Sequence, residues 1–391
     1  MKARIYFLVG LSLLLWDCLE AQRPDSLMDL VLDQNRELKA AREAYQVATF
    51  EAGTGNTPPD PEVDFGYLYG KPAELGNRID FEVTQQLDFP TTYIHRSKVR
   101  DIRTSRAELE YIRIRQKVLL ESWELWIDRI HLNQLHTMLT ARIRQAHTIQ
   151  AHVEHQLNTG EIGLLAQSQS NLLVASLEGE MEEVEARLEN NRMALEEITG
   201  GVPVEIQDTI FPSSVQIIPD SLVKDYRQGP AALLYDQNLR LKEQQKNLTV
   251  SQHLPKLTAG YYSESVVDQA FRGFRLGVSV PLWEQANTIK KANSEIAFAE
   301  AEADQFITRQ EREIRQKLNE LESLRVRIVK LEAALDGTRP ISLLNATLNS
   351  GEISFSEYFY ASDLYFRSQQ ELLRYKRDLL TLEADLLKVY L

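Results

Sequence analysis

The stretch LNTGEI at residues 157–162 decides how the chain is organised, because it recurs as LNSGEI at residues 348–353, 191 residues later. Phe89-Pro90 recurs as Val280-Pro281 at the same offset. A repeat at a fixed offset indicates one structural unit used twice. We therefore predict an internal duplication, with the glycine of each LN(T/S)GEI stretch at a turn between two helices.

The two halves have the same predicted order of elements. A helix comes first, followed by two short alternating segments, a very long helix, the glycine-centred turn and a second long helix. At 1.5 Å per residue, a helix of about 65 residues is roughly 100 Å long, which exceeds an ordinary globular domain. The predicted helices before each turn are Asp25 to about Ala52, about Thr91 to Asn158, Leu233 to about His253, and about Leu282 to Asn349, the last bent by Gly337 and Pro340.

The helices after the turns have a heptad-like seam. In the first half it is Leu177, Met181, Val184, Leu188, Asn191, Leu195 and Ile198, and in the second Leu372, Tyr375, Leu379, Leu382, Leu386 and Val389. A sustained 3.5-residue repeat is typical of coiled-coil packing. We therefore predict long helical hairpins.

The short segments alternate between apolar and polar residues, which is the strand pattern. The apolar positions are Val63, Phe65, Tyr67 and Tyr69; Ile79, Phe81, Val83, Leu87 and Phe89; Leu257, Ala259 and Tyr261; and Phe274, Leu276, Val278 and Val280. A soluble four-stranded sheet packed on helices is one solution. The aromatic apolar face and the charged opposite face favour the other, which is a membrane β-barrel with a wet lumen.

Four strands cannot close a barrel, and an open sheet edge is not tolerated in lipid. Closure needs at least eight strands, so two, three or four chains would have to share one barrel. The strand pattern therefore predicts an oligomer and leaves its number open.

The N-terminus has the order of a secretory signal. Lys2 and Arg4 precede the apolar run 5–16, and Ala21 is a small residue before Gln22, the predicted mature start. No later stretch approaches the roughly 20 apolar residues of a membrane helix. The single cysteine, Cys18, lies inside this region, next to residues that suit a lipidation signal badly. Cleavage after Ala21 would leave no thiol for disulfides or metal binding.

The composition excludes other classes of function. The net charge of -13 argues against a nucleic-acid partner, since phosphate binding needs a basic surface. The sequence contains no phosphate-binding glycine loop, no His-Glu-x-x-His motif and no Gly-x-Ser-x-Gly motif. We therefore expect neither an enzyme nor a bound cofactor.

Taken together, these residues resemble the TolC-type outer-membrane efflux family over nearly the whole mature chain. The resemblance rests on the duplicated turns, on Phe89-Pro90 and 280–282 at strand ends, on 254–257 opening a strand and on 195–200 closing a long helix. It implies a homotrimer with a shared 12-stranded barrel in outer-membrane lipid and a helical tunnel in the periplasm. It also implies an equatorial linker, a periplasmic membrane-fusion adaptor and an inner-membrane pump as partners. The second turn is most like channels that work with heavy-metal resistance-nodulation-division pumps.

The predicted parts of the chain are a signal peptide (1–21), a first repeat (22–200), a linker (201–232) and a second repeat (233–391). In the family, the glycine-centred turns form the periplasmic tip, where the channel closes and docks its adaptor. The site residues implied here are Gly160, Glu161, Gly351, Glu352 and Glu357. Glu357 stands at a position that is often acidic in the family, whereas the first-half equivalent is Ala166.

Two histidines near the first turn suggest a second hypothesis. His152 and His155 are three residues apart on one helix, so they share a face, and a trimer could gather them around a metal. The alternative is that they are solvated surface histidines.

The leading interpretation is a passive, gated efflux channel for drugs or metal ions. Rings of acidic side chains select cations in other pores, and three copies each of Glu161, Glu352 and Glu357 would make such a constriction. The alternatives are a channel for type I protein secretion, which has the same fold, and a periplasmic coiled-coil scaffold that is not a channel.

Overall fold

The computed structural model describes residues 25–267, 269–280, 286–336 and 340–391. The predicted signal peptide, Cys18, Pro281, Leu282 and Gly337 lie outside the described residues. Among the described residues, none of the helices carries an apolar stretch long enough to cross a bilayer.

The described elements are nine helices and four strands, with two short 3₁₀ turns. The helices are α1 (Asp25–Gln34), α2 (Arg36–Gly53), α3 (Pro90–Asn158), α4 (Leu164–Ile198), α5 (Pro219–Arg227), α6 (Pro230–Gln252), α7 (Thr288–Asp336), α8 (Pro340–Asn349) and α9 (Phe355–Leu387). The strands are β1 (Glu62–Leu68), β2 (Arg78–Leu87), β3 (Lys256–Val266) and β4 (Gln269–Ser279), and the 3₁₀ turns are Ala73–Leu75 and Lys388–Tyr390. The order strand, strand, long helix, turn, helix occurs in the first half, and the second half has the same order with α8 between the long helix and the turn.

The described residues form two compact units. The first consists of residues up to Lys39 together with Ile114–Asp225 and Glu311–Leu391, and the second of Ala40–Arg113 and Tyr226–Gln310. Each unit therefore takes segments from both predicted repeats. The sheet lies in the second unit, and the two glycine-centred turns lie in the first.

The first unit has two apolar clusters. One packs α1 against α3, α4 and α9 through residues such as Val31, Ile127 and Ala384. The other lies between α3 and α4 and is built from Leu135, Leu139, Ala146, Val174, Leu177 and Val184. Most of the first-half seam is thus buried. In the second half, Leu379 and Leu386 are buried, but so are Ala384 and Leu387, so the buried stripe of α9 is wider than the predicted seam.

One helix prediction needs correction. The predicted first helix is divided into α1 and α2 at Asn35, whose side-chain oxygen accepts a hydrogen bond from the backbone N–H of Leu38 at 2.9 Å. Its amide nitrogen donates to the carbonyl oxygen of Ile198 at 2.8 Å. Asn35 therefore caps α2 and ties it to the end of α4. The predicted second long helix is described as α7, which ends at Asp336, and α8, which begins at Pro340; residues 337–339, where the bend was predicted, lie outside the described residues.

The sheet is antiparallel, in the order β1-β2-β3-β4. β3 continues to Val266 and β4 begins at Gln269, so both strands are longer at their shared turn than the alternation predicted. α2 and α6 lead into β1 and β3, whereas β2 precedes α3 and β4 precedes α7. The helical connections therefore lie at one end of the sheet, and the two hairpin turns lie at the other.

Candidate functional site

The register of the sheet places the alternating residues on two chemically different faces. Val63, Val83, Tyr261 and Phe274 form one cross-strand row, because successive pairs among them are direct partners. The apolar face defined by this row is solvent-exposed in the chain, with Phe274 at 90%, Leu276 at 84% and Phe65 at 70%. An exposed apolar surface of this extent indicates an interaction site or a membrane contact.

The opposite face is polar and carries a network of charges. Arg78 contacts the carboxylates of Asp80 at 2.8 Å and Glu264 at 3.2 Å. Arg275 contacts Glu82 at 2.8 Å, and its guanidinium lies 4.7 Å from the ring centroid of Tyr262. The sheet is therefore apolar on one side and charged on the other, as the alternation predicted.

The two LN(T/S)GEI turns end their helices in the same way. In the first, the N–H of Gly160 donates to Leu157 at 3.0 Å and the N–H of Glu161 donates to Gln156 at 2.9 Å. In the second, Gly351 donates to Leu348 at 3.1 Å and Glu352 to Thr347 at 2.9 Å. This pair of hydrogen bonds is the Schellman motif, in which the residue after the helix has a left-handed backbone conformation. Both glycines have that backbone, with φ of 78° and 76°.

The second turn is followed by a capped helix. Ser354 precedes α9, and its hydroxyl accepts from the N–H of Glu357 while the Glu357 carboxylate accepts from the Ser354 N–H at 2.8 Å. These reciprocal bonds form a capping box. The bond from the Ser354 backbone, followed by that from its hydroxyl, lowers the pKa of Glu357 below its ordinary value. Glu357, predicted as an aperture carboxylate, is thus exposed, ionised and engaged with its own helix.

The first turn lacks this arrangement. Gly163 occupies the capping position of α4 and offers no side chain to the free N–H groups. Leu164 and Leu165, which follow it, are 73% and 70% exposed. The first turn therefore presents an apolar surface where the second presents a closed polar cap.

Behind the second turn, Tyr358 is a buried anchor, only 1% exposed. Its hydroxyl accepts from the Gln145 amide at 2.6 Å and donates to the Asn345 side-chain oxygen at 2.9 Å. Nearby, Arg142 of α3 pairs with Asp363 of α9 at 3.0 Å and covers the ring of Phe366 at 4.7 Å. These contacts hold α9 against α3 and α8.

The histidines of α3 differ in their surroundings. His152 and His155 are both exposed, and the ring of His152 lies 6.3 Å from that of Phe355. Within the described part of the chain, no group of three His, Cys, Asp or Glu side chains is placed to hold a metal ion. His131, in contrast, is buried, and desolvation, followed by the charges of Arg377 and Arg187, lowers its pKa from 6.5 to about 4.

The sequence reasoning missed several residues of this region. Ser354 and Glu357 have the S-x-x-E spacing of a capping box, so the signal was present in the sequence. Tyr358, Gln145 and Asn345 come from three different helices and have no common spacing in the sequence.

Comparison with solved structures finds the same fold in several outer-membrane channels. The outer-membrane protein VceC of Vibrio cholerae superposes with a TM-score of 0.78 at 14% identity, over 93% of this chain and 95% of that one. The CmeC outer-membrane channel of Campylobacter jejuni gives 0.77 at 16% identity, over 94% and 85%. CusC, whose structures concern transmembrane channel formation, gives 0.76 at 16% identity, over 93% and 91%.

No protein-family model and no curated protein matches the chain. The chain nevertheless has the fold of the TolC-type outer-membrane channels. The resemblance predicted from the duplicated turns is thereby confirmed as a likeness of fold.

Proposed function

We propose that this chain is the outer-membrane channel of a tripartite efflux system. It is a passive, gated conduit for drugs or metal ions that an inner-membrane pump and a periplasmic adaptor hand on. The observation that carries the proposal is the four-stranded sheet with one apolar and one charged face, joined at one end to long helices.

The exposed apolar face fits outer-membrane lipid. Apolar residues alternate with polar ones in strands of seven to eleven residues, close to the length that spans a bilayer when tilted. The charged face, with its Arg78 and Arg275 networks, suits a water-filled lumen. The fold similarity to outer-membrane channels supports the same location, with the helices in the periplasm.

The edges of the sheet support a homotrimer. β1 and β4 are the terminal strands of the sheet that the described residues form, and lipid does not tolerate open edges. Pairing β4 of one copy with β1 of the next would close a barrel without edges. The TolC-type family uses three chains, which would give a 12-stranded barrel here, with the internal duplication supplying two strands from each repeat.

The glycine-centred turns would then form the periplasmic tip and contact the adaptor. In the proposed trimer, Gly160 and Gly351 shape the turns, and three copies each of Glu161, Glu352 and Glu357 line the constriction. The lowered pKa of Glu357 keeps its carboxylate charged while it caps α9. Acidic rings of this kind favour cations.

The test is the conductance of detergent-extracted protein in a planar bilayer, measured together with the mass of the particle. We expect discrete, cation-preferring channels from a three-chain particle. A soluble particle without conductance would overturn the proposal and favour the coiled-coil scaffold. Co-purification with a protein-secretion adaptor would instead favour the type I secretion channel.

Matched variants on β4 sharpen this test. Leu276→Lys places a charge on the apolar face, whereas Gly273→Lys places the same charge on the polar face, where a Cβ meets no atom within 4 Å. A lysine facing lipid costs about 2–4 kcal/mol near the bilayer midplane. We expect only Leu276→Lys to reduce the membrane-inserted fraction. Equal behaviour of the two variants would contradict a lipid-facing sheet.

A further inference from the structure

One cation interrupts the apolar face of the sheet. Arg272 of β4 is the direct partner of Ser263, which is in turn the partner of Phe81. It therefore shares a face with Phe65, Phe81 and Phe274. Among the paired strand residues that the structure describes, it is the single charged residue on this face.

Arg272 lies near the end of the sheet that carries the hairpin turns. The last apolar row, Tyr67 and Ile79, is one row further along, which is about 7 Å along the strands. The alternation also inverts here, since Phe271 falls on the charged face beside Glu264. Arginine is costly at the bilayer midplane but costs about 0–1 kcal/mol near the interface. The position of Arg272 thus matches the depth of lipid headgroups.

Among the strand residues that the structure describes, no carboxylate shares the face of Arg272. Arg272 is exposed and has no ion pair or hydrogen bond within the described residues. In the proposed barrel, β4 would be flanked by β1 of the next copy, whose residues on this face are Val63, Phe65 and Tyr67. None of these is a carboxylate.

The neighbours of Arg272 suit a phosphate group above an acyl chain. Ser263 and Ser265 lie on the same face of β3, and their hydroxyls have no hydrogen bond to described residues. Toward the helical end, Phe274, Leu276 and Val278 form an exposed apolar track along β4, with exposures of 90%, 84% and 64%. A guanidinium binds phosphate oxygens through paired, charge-assisted hydrogen bonds.

We propose that Arg272, with the hydroxyls of Ser263 and Ser265, binds the phosphate of an anionic membrane lipid whose acyl chains lie along Phe274, Leu276 and Val278. The site is on the lipid-facing side of the sheet, at the level of the outer headgroups, and it rests on the proposed function. Three equivalent sites would exist in the trimer.

The test is native mass spectrometry of the detergent-extracted full-length protein, titrated with phosphatidylglycerol or with zwitterionic phosphatidylcholine. We expect a preference for phosphatidylglycerol, with at most three tightly bound molecules per trimer. Arg272→Gln should weaken that binding about fivefold, as expected for a contact worth about 1 kcal/mol per basic residue. Arg272→Lys should lose less, because it retains the charge.

The matched control is Arg275→Gln, which removes a guanidinium three residues away on the opposite face, where it pairs with Glu82. We expect this variant to bind phosphatidylglycerol like the wild type. Equal affinity of Arg272→Gln and the wild type, or equal losses in both variants, would overturn the lipid site.

Conductance of the same preparation separates the two proposals. Normal channels with lipid binding that does not depend on Arg272 would overturn the lipid site alone. A particle that forms no channel would overturn the proposed function and the lipid site together.

Discussion

The two glycine-centred turns end their helices identically but begin the next helices differently. Gly160 and Gly351 have the same left-handed backbone and the same pair of Schellman hydrogen bonds. After the first turn, Gly163 leaves the start of α4 uncapped, and exposed leucines follow. After the second, Ser354 and Glu357 cap α9. The repeated sequence therefore conserves the way the chain reverses, while single side chains decide how firmly each returning helix is held.

This difference extends into the packing behind the turns. α9 is fixed by Tyr358, which is buried and doubly hydrogen-bonded, four residues after its cap. In α4, the corresponding residue is Gln167, which is half-buried, and the first buried residue is Ser170. Few buried contacts near an exposed turn are the usual basis of local opening. The first turn should therefore open more readily than the second.

The largest effect is expected from removing the anchor of the second turn. Tyr358→Ala deletes a buried aromatic ring and removes the hydrogen bonds that its hydroxyl makes with Gln145 and Asn345. Such a change costs about 3–5 kcal/mol in the free energy of unfolding. Urea denaturation followed by circular dichroism measures it. Gln167→Ala, the equivalent change after the first turn, should stay within about 0.5 kcal/mol. Similar losses in both variants would contradict the asymmetry.

As the pH falls, the first loss of stability should come from His131, in the middle of α3, and not from a residue at either turn. The folded pKa of His131 is lowered to about 4, so between pH 6.5 and 4 the unfolded chain takes up a proton that the folded chain does not. The contribution of neutral His131 to the free energy of unfolding should be fully present above pH 6.5. The free energy of unfolding should fall by about 3 kcal/mol as the pH drops to 4.

The matched variants for this prediction are His131→Gln and His152→Gln. The first should flatten the slope of stability between pH 6.5 and 4, and the second, which changes an exposed histidine, should leave it unchanged. An unaltered slope in His131→Gln would show that another group controls this window.

The helix cap at Ser354 should contribute less to stability than the Tyr358 anchor. The capping side chain can be removed after the second turn and introduced after the first. Ser354→Ala removes the side-chain acceptor at the start of α9 and should cost about 1 kcal/mol. Gly163→Ser supplies such an acceptor to α4 and should gain a few tenths of a kcal/mol. Thermal unfolding and amide hydrogen exchange of residues 164–170 report the two changes. Increased exchange there in Gly163→Ser would contradict the capping explanation.

The smallest effect is the pH dependence of the second cap. The pKa of Glu357 is lowered in the folded chain, so its contribution is present above its ordinary value of 4.5 and is lost as the pH falls below that value. The difference in melting temperature between Glu357→Gln and the wild type should therefore be largest at pH 7 and shrink as the pH falls below 4.5. In a Ser354→Ala background the difference at pH 7 should shrink but persist, because the backbone N–H of residue 354, the larger cause of the lowered pKa of Glu357, is still present.

Much of the fold could be predicted because its signals are local. Period-two alternation located all four strands, and the glycines of the repeated stretch located both turns. The errors arose where a distant contact decides local structure. The break at Asn35 depends on a bond to the carbonyl oxygen of Ile198, 163 residues away, and an asparagine within an amphipathic pattern does not reveal it.

The candidate site was predictable to a lesser degree. Glu161 and Glu352 lie at the turns as expected, because each directly follows the glycine that forms the turn. Glu357 was predicted as an acidic aperture residue, and what the sequence reasoning missed is that its carboxylate accepts hydrogen bonds from Ser354. The network around Tyr358 joins α3, α8 and α9, so its members could be found only after those helices were packed.

The sequence by itself therefore determined the elements whose causes lie within a few residues: strand alternation, left-handed glycines, heptad spacing and the duplicated order. Only the tertiary structure decided which side chains meet across helices and strands, including the Tyr358 anchor and the row that places Arg272 among aromatic residues. The physical reason is the distance along the chain over which each kind of interaction acts. Backbone geometry and periodicity act between neighbours in the chain, whereas burial and charge pairing depend on residues that are brought together only by folding.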